Sequence, residues 1–305
     1  MNRRVFLTGL PLLLAACASR HRVTVGSKNF TEQLILGELL AQVLESAMHS
    51  PVDRRLYLAG TYICHQALLA GRIDVYVEYT GTALAAVLKE PIGAGAAGDH
   101  RQVYERVKEE YARRFGLTVM SPLGFDNSFA MIMRGEDARR MGITRLSQLA
   151  PFAPRMRMGV GYEFLERQDG YNGLVKAYGL RFAAEPRVMD LGLLYRALEN
   201  RQVDLIAGAN TDGLIAALRL TVLEDNRHYF PPYDAVPIAR TDTLARYPAM
   251  RSALEHLSGK INVDEMRSMN YAVDGEKRDA AQVASDFLRQ QKLLSGNEYP
   301  RHLAT

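Results

Sequence analysis

The chain has no tryptophan and only two cysteines, Cys17 and Cys64, among its 305 residues. Two cysteines cannot form the framework of several disulfides that holds small secreted proteins together, and we expect Cys64 to be a small buried side chain. Without tryptophan, any aromatic surface that contacts a ligand must be built from tyrosine and phenylalanine. The net charge of +4 is small, which argues against a nucleic-acid partner.

The motifs of several enzyme and cofactor-binding classes are also missing. The sequence has no nucleophile elbow, zinc-protease helix, Walker loop or dinucleotide fingerprint. Its seven histidines show no ligand spacing, since His49 and His65 are isolated and His302 is terminal. We therefore expect no catalytic site, no metal site and no cofactor.

Residues 1–20 are typical of a targeting segment and tether. Arg3 and Arg4 form a basic start, and the apolar run 5–16 is too short to span a membrane. The run ends in Leu-Ala-Ala-Cys17, which resembles a bacterial lipobox and implies a lipidated Cys17 that anchors the protein outside the cytoplasm. An ordinary cleavage site beside a chance cysteine is the alternative. The paired arginines also resemble a twin-arginine export signal, which leaves the export route open.

Residues 23–89 predict alternating strands and helices. Strands are expected at 23–27, 55–58 and 74–79, and helices at 31–45, 62–70 and 83–89. Ser27, Lys28 and Asn29 are expected in the first turn, and Thr61 as the N-cap of the second helix. This alternation predicts a mainly parallel sheet.

The stretch 74–82 delivers Tyr79, Thr80 and Thr82 to a corner between a strand and a helix, where ligands bind in open α/β sheets. An aromatic face attracts a cation, whereas hydroxyl groups and helix N–H groups attract an anion. The corner therefore suits a zwitterion. A buried tyrosine beside a capping threonine is the alternative.

A change of character at residues 121–129 predicts a crossing into a second lobe. That lobe has expected strands at 129–133, 156–161, 188–189 and 203–207, expected helices at 173–178 and 193–200, and a polar loop at 208–213. Residues 230–234 predict the return crossing, and a strand at 235–239 rejoins the first lobe. We expect lobe 1 at 21–124 with 231–305, and lobe 2 at 125–230.

Several motifs recur in this order in one known family: Val25–Gln33, Glu78–Thr82, and Leu223–Asn226 followed by Phe230–Ala235. The chain resembles, from about residue 23 to residue 294, the substrate-binding proteins of osmoprotectant ABC importers, which capture glycine betaine, choline or carnitine. The resemblance implies an α/β, two-lobed type II periplasmic-binding fold with the ligand cleft between the lobes. It also implies a monomer whose partners are a small quaternary amine and ABC permease subunits in the membrane.

The same resemblance implies an aromatic cage around a quaternary ammonium group. Tyr79, Phe129 and Tyr233 occupy positions of cage residues, with Phe129 in place of a tyrosine. Ala209 stands where a fourth tyrosine is usual, and Asn210 beside it offers a hydrogen bond. These departures question glycine betaine itself and leave open a bulkier methylated betaine such as ergothioneine.

For the anionic end of the ligand, the resemblance implies Lys28, Thr82 and Arg167, with Asn127 at the first crossing also in the site. A lysine from lobe 1 and an arginine from lobe 2 would hold one carboxylate only when the cleft closes. A solvated loop lysine and a surface arginine are the alternatives. Two other functions stay open, a ligand-sensing lipoprotein without a transporter and an enzyme on the same fold.

Overall fold

The structure, a computed structural model, describes residues 22–90 and 99–294. The predicted signal segment with Cys17 and the predicted surface loop at 91–98 lie outside the described residues. Among the described helices, none combines the length and the apolar character that crossing a bilayer requires.

The first lobe is built on a five-stranded sheet with the strand order β2-β1-β3-β10-β4. Strand β1 runs parallel to β2 and β3, whereas β10 runs antiparallel to β3 and β4, so the sheet is mixed rather than mainly parallel. Its elements up to the crossing are β1 (Thr24–Lys28), α1 (Thr31–Met48), β2 (Asp53–Ala59), α2 (Thr61–Leu69), β3 (Val75–Tyr79), α3 (Thr80–Thr82), a π-helical turn (Ala83–Val87), α4 (His100–Phe115) and β4 (Leu117–Val119).

Helices cover both faces of this sheet. Val75, Val77 and Tyr79 of β3 pack with the apolar face of α1, while Tyr76 packs on the opposite face with residues of α2 and α4. The alternation that the sequence shows is therefore an alternation between two buried faces, and all five residues of β3 are buried. Cys64 lies in the same core at 0% exposure, and burial raises its pKa to about 12.

The second lobe is also built on a five-stranded sheet, with the order β7-β6-β8-β5-β9. Strand β6 runs parallel to β7 and β8, and β5 runs antiparallel to β8 and β9. Its elements are β5 (Phe129–Arg134), α5 (Gly135–Met141), two 3₁₀ turns (Leu146–Leu149 and Ala153–Arg155), β6 (Met158–Val160), α6 (Tyr162–Glu166), α7 (Tyr171–Tyr178), β7 (Arg187–Val188), α8 (Leu191–Glu199), β8 (Leu205–Ala209), α9 (Leu214–Ala217) and β9 (Leu220–Leu223).

The chain then returns to the first sheet and ends, within the described residues, in helices. These elements are β10 (Ala235–Arg240), α10 (Thr241–Arg246), α11 (Pro248–His256), α12 (Val263–Asp274) and α13 (Ala280–Gln290). The antiparallel return strand confirms that residues 235–239 rejoin the first sheet, as the sequence predicts. Helix α10 was not predicted.

The two crossing segments run side by side between the sheets. Asp126 and Asp234 form an antiparallel bridge, and the Asn127 amide donates to the Tyr233 carbonyl at 3.0 Å. The corner after β3 packs directly against this crossing, because a Cβ on Gly81 would lie 2.7 Å from the Pro232 carbonyl oxygen. The crossings and the β3 corner therefore form one packed unit.

Three local predictions were wrong. Ser27 and Lys28 are the last residues of β1 rather than turn residues, since β1 continues to pair with β2 through Lys28. Thr61 is the first helical residue of α2, and Gly60 is its N-cap. Strand β8 extends through Ala209 because it pairs with Phe129 of β5, so the loop expected at 208–213 begins two residues later.

Candidate functional site

A cavity of about 1190 Å³ opens between the two lobes. Lobe 1 contributes the ends of β1 and β3, lobe 2 contributes α6, α8 and the end of β8, and the crossings contribute Asn127 and Tyr233. Nine aromatic rings lie in its walls: Phe30, Tyr57, Tyr62, Tyr79, Phe129, Tyr162, Phe164, Tyr195 and Tyr233. The walls are thus rich in the π-faces that attract diffuse positive charge.

The structure brings eight of the nine residues predicted for the site together around this cavity: Lys28, Tyr79, Thr82, Asn127, Phe129, Arg167, Ala209 and Tyr233. Asn210 is the exception. It does not line the cavity, and its backbone carbonyl accepts a hydrogen bond from Arg267 Nε at 2.8 Å. Asn210 follows the end of β8, and its amide donates to the Ser128 carbonyl at 3.0 Å.

Lys28 has an internal partner. Its Nζ forms a buried ion pair with Glu78, and it also lies 4.7 Å from the centre of the Tyr79 ring. The exposed fractions of the two charged side chains are 3% and 0%. Glu78 Oε1 in addition accepts the Tyr79 amide at 2.8 Å. Lys28 is therefore part of the support of the corner as well as part of the cavity wall.

Arg167 joins the two lobes at the cavity. Its Nη1 donates to Thr82 Oγ1 at 3.0 Å, and its Nε donates to Asp169 at 2.8 Å. The guanidinium lies 4.9 Å from the Phe129 ring centre and 5.8 Å from the Tyr233 ring centre. Burial lowers the pKa of Arg167, but the adjacent Asp169 carboxylate outweighs that effect and the pKa is raised overall.

Glu32 is a buried carboxylate in the cavity wall that the sequence analysis did not select. It is 3% exposed and accepts hydrogen bonds from Tyr79 Oη at 2.7 Å, Asn127 Nδ2 at 2.6 Å and Asn270 Nδ2 at 3.0 Å. No lysine, arginine or histidine in residues 22–90 and 99–294 lies within ion-pair distance of it. Its charge is held by neutral donors alone, so it attracts positive charge into the cavity.

A second carboxylate stands at the wall position left open by Ala209. Asp212 accepts the Ala209 amide at 2.9 Å and the hydroxyl group of Tyr195. Burial raises the pKa of Asp212 to about 6, and Glu32 and Asp274 add to the increase. The gap at Ala209 is thus bordered by a group that can accept hydrogen bonds from a ligand.

A second contact between the lobes lies at the start of α2. Glu163 of α6 accepts the Thr61 amide at 2.8 Å, where no side chain of lobe 1 caps the helix. A Cβ on Gly60 would lie 1.9 Å from the Glu163 carboxylate, so any other residue here would displace that side chain. A carboxylate at a helix N-terminus is stabilising because free N–H groups and the helix dipole both favour negative charge.

The sequence holds only weak signals for the residues that were missed. Glu32 follows the Ser27-Lys28 pair and is the acidic residue in the first turn of α1, which ordinarily indicates only helix capping. Tyr195 and Asp212 are separated by 17 residues, and their hydrogen bond depends on the packing of α8 against β8. The one available clue was an acidic residue close to Lys28, which had already been selected.

A second cavity of about 590 Å³ lies at the far end of β5 and is lined by Arg134, Arg140, Arg155, Arg157 and Arg201 with Asp137 and Asp204. Arg134 and Arg157 are paired with these aspartates. This cavity has one aromatic ring, Phe152, and it shares no residue with the cleft. The candidate ligand site is therefore the cleft.

Comparisons with known proteins agree with this geometry. A family model described as the substrate binding domain of an ABC-type glycine betaine transport system matches residues 21–290. The chain is 31% identical over 298 residues to the carnitine transport binding protein OpuCC of Listeria monocytogenes, covering 97% of this chain and 95% of that protein. It superimposes on a crystal structure of a glycine betaine/carnitine/choline ABC transporter with a TM-score of 0.74 and 31% identity, covering 90% of this chain and all of the other.

Another relative is longer than this chain. The ergothioneine transport permease/ergothioneine binding protein EgtU of Helicobacter pylori is 35% identical over 272 residues, which cover 89% of this chain. The match covers 48% of that relative, so the chain spans about half of its length.

The raised pKa of Asp212 predicts a pH-dependent stability. The folded protein holds this proton more tightly than the unfolded chain, whose Asp pKa is about 3.9. Protonation of Asp212 therefore contributes fully to the free energy of unfolding below about pH 4. This contribution, up to about 3 kcal/mol, is lost as the pH rises through about 6. Asp212→Asn keeps an oxygen that accepts from Tyr195 and Ala209. In urea unfolding, we expect its free energy of unfolding to fall less than that of wild type between about pH 4 and about pH 6.

The exposed Asp99→Asn is the matched control, because asparagine preserves its N-cap bond to Gln102. If Asp212→Asn and wild type lose the same free energy of unfolding over this pH range, Asp212 is not the group responsible.

Proposed function

The chain belongs to the family of substrate-binding domains of ABC-type glycine betaine transport systems, and we propose that it captures a quaternary-ammonium zwitterion outside the cytoplasm and delivers it to an ABC permease. The relatives are binding proteins of transport systems. In this proposal the protein binds its ligand without transforming it, acts as a monomer and needs no cofactor. In the same proposal, residues 21–124 and 231–305 form one lobe and residues 125–230 form the other.

The observation that carries the proposal is the charge pattern of the cavity. Nine rings surround it, the Lys28 and Arg167 charges are balanced by Glu78 and Asp169, and the Glu32 charge is balanced by no cation in the described part of the chain. A quaternary ammonium group cannot donate hydrogen bonds, so it is recognised by π-faces and by nearby negative charge. This cavity supplies both.

The anionic end of the ligand is assigned to Arg167 and Thr82. The described hydrogen bonds of Arg167 use three of its five N–H groups, two on Asp169 and one on Thr82, which leaves two donors. Thr82 accepts from Arg167, so its own O–H group is available to donate. A carboxylate between them would bind to both lobes at once, and closure would then be stabilised by the ligand.

Lys28 has a supporting role in this proposal. Truncating one partner of a buried ion pair costs about 3–5 kcal/mol, because the other charge stays buried alone. A Lys28→Ala variant would therefore lose stability through Glu78 and would not isolate a ligand contact.

We predict that the purified protein binds a methylated zwitterion in a calorimetric panel of glycine betaine, proline betaine, carnitine, choline and ergothioneine, with glutamine as the ordinary amino acid. Phe129→Leu keeps the apolar volume and removes the ring. A desolvated cation–π contact is worth about 2 kcal/mol, so we expect affinity for the best ligand to fall by about 30-fold. Phe129→Tyr keeps the ring and should bind nearly as well as wild type.

Tyr104→Leu removes a ring that does not line the cavity and serves as the control. Tight binding of glutamine with no binding of any quaternary amine would refute the proposed ligand class. Equal affinities of Phe129→Leu and wild type would refute the role of this ring.

A second candidate ligand is a bulkier betaine with N–H donors, of which ergothioneine is an example. Ala209 leaves space where a large side chain would narrow the cavity, and the Asp212 carboxylate borders that space. The cavity volume of about 1190 Å³ exceeds the 300–1,000 Å³ of common small-molecule sites. The 35% identity to a protein named for ergothioneine supports this candidate.

Ala209→Tyr should separate the two ligands. The new ring fills the space, so we expect it to weaken ergothioneine by about tenfold or more, as overpacking costs about 1–3 kcal/mol. Affinity for glycine betaine should be unchanged or higher. The same calorimetric panel measures both, and an equal loss for both ligands would count against a specificity role for Ala209.

We further propose that lipid on Cys17 holds the protein at the outer face of a membrane. The support is the Leu-Ala-Ala-Cys ending of an apolar leader. Tethering raises the effective concentration of a binding protein at its permease.

Expression of the full chain in a bacterium and fractionation should place it with the membranes. Cys17→Ser should be released or remain unprocessed, because it lacks the thiol that would carry the lipid chains of the anchor. Recovery of both proteins in the soluble periplasmic fraction would exclude the tether.

A further inference from the structure

Three side chains that the sequence does not place together meet on the outer side of the crossings. His100 is the first residue of α4, Asp126 lies in the outgoing crossing and Asp234 in the return crossing. One ligand atom from each of the three lies within 4.8 Å of the others. The chain approaches this point from three directions, so the cluster joins lobe 1 to both crossing segments.

The distances within the cluster are those of a hydrogen bond and lie close to those of a metal site. His100 Nδ1 lies 2.9 Å from Asp234 Oδ1 and 3.0 Å from Oδ2. Ligand atoms about 2.0–2.2 Å from a tetrahedral Zn²⁺ lie roughly 3.3–3.6 Å apart. Ligand atoms that lie up to 4.8 Å apart would have to approach each other by at most about 1.5 Å. The His100 side chain is 55% exposed, so it has room to move.

The two carboxylates also need a positive partner. Asp126 and Asp234 are both partly buried and lie on paired segments, so two carboxylates share one small space. The Tyr233 amide donates to Asp126 at 2.5 Å, which fixes the carboxylate in place without neutralising it. No lysine or arginine of residues 22–90 and 99–294 pairs with either aspartate, and His100 is the sole basic group of the described cluster.

We infer that His100, Asp126 and Asp234 form a binding site for one divalent transition-metal ion of the Zn²⁺ type. One imidazole nitrogen and two carboxylate oxygens are ligands that Zn²⁺ accepts, and solvent would complete the coordination. An imidazole ligand disfavours Ca²⁺ and Mg²⁺, which prefer sites made of oxygen alone. The sequence analysis expected no metal site because it considered only the spacing of histidines along the chain. The proposed site differs from that expectation because its three residues meet only in the fold.

The position of this site gives the ion a structural consequence. Asn127 follows Asp126 in the chain, and Tyr233 precedes Asp234. Both neighbours line the cavity on the other side of the crossings. An ion would bind the two crossing segments to each other and to α4 directly behind the ligand wall. It would therefore restrict the segments about which the lobes move.

The test is calorimetric titration of the metal-stripped full-length protein with Zn²⁺. We expect one tight site in wild type. Outer-shell residues alone change metal affinity by about 10- to 100-fold, so loss of a direct ligand in His100→Ala should weaken binding by at least about tenfold. Zn²⁺ should also raise the melting temperature of wild type but not of His100→Ala, because a ligand of the folded state stabilises it.

His256→Ala, at an exposed histidine bonded to the Ser252 carbonyl, is the matched control and should bind Zn²⁺ like wild type. Circular dichroism checks that the variants are folded, which the exposure of His100 favours. Equal Zn²⁺ affinity in wild type and His100→Ala would overturn the inference. Binding of Ca²⁺ as tight as that of Zn²⁺ would do so too, because the carboxylates alone would then hold the ion.

Discussion

The ion pair between Lys28 and Glu78 is the interaction on which the ligand corner depends. Two charges buried on adjacent strands are tolerable only together, since removal from water costs several kcal/mol for each ion. The pair joins the ends of β1 and β3. Glu78 holds the Tyr79 amide and accepts the Tyr76 hydroxyl group at 3.2 Å, and Lys28 lies against the Tyr79 ring. The orientation of Tyr79, and with it the start of α3, follows from this pair.

The balance of charge in the cavity has a chemical meaning. Lys28 and Arg167 are each matched by a carboxylate, so they present hydrogen-bond donors without an excess of positive charge. Glu32 gives the cavity wall a negative charge that no cation in the described part of the chain balances. Asp212 adds a second negative charge above about pH 6. A zwitterion can orient itself in such a field, and a plain anion is opposed by it. In our proposal, the cationic end of a ligand therefore lies on the side of Glu32 and Asp212.

The sequence predicts the parts of this molecule that depend on local pattern. The strands at Val75 and Phe129 form where the sequence predicts them, and the motif at 78–82 identifies the corner. The partners across the fold could not be predicted, because Lys28 and Glu78 are 50 residues apart and Glu32 meets Asn270 over 238 residues. Asn210 shows the limit at the end of a strand, since the sequence placed the end of β8 two residues early and could not predict the contact with Arg267.

The contact between Glu163 and the start of α2 has a consequence for the empty protein. The first turn of α2 has no cap from its own lobe, and the carboxylate that satisfies the Thr61 amide belongs to the other lobe. When the lobes separate, that N–H group must turn to water, and the helix loses the charge that offset its dipole. The first turn of α2 is therefore less ordered when the cleft is open and more ordered when it is closed. The last step in forming α2 is part of the binding cycle.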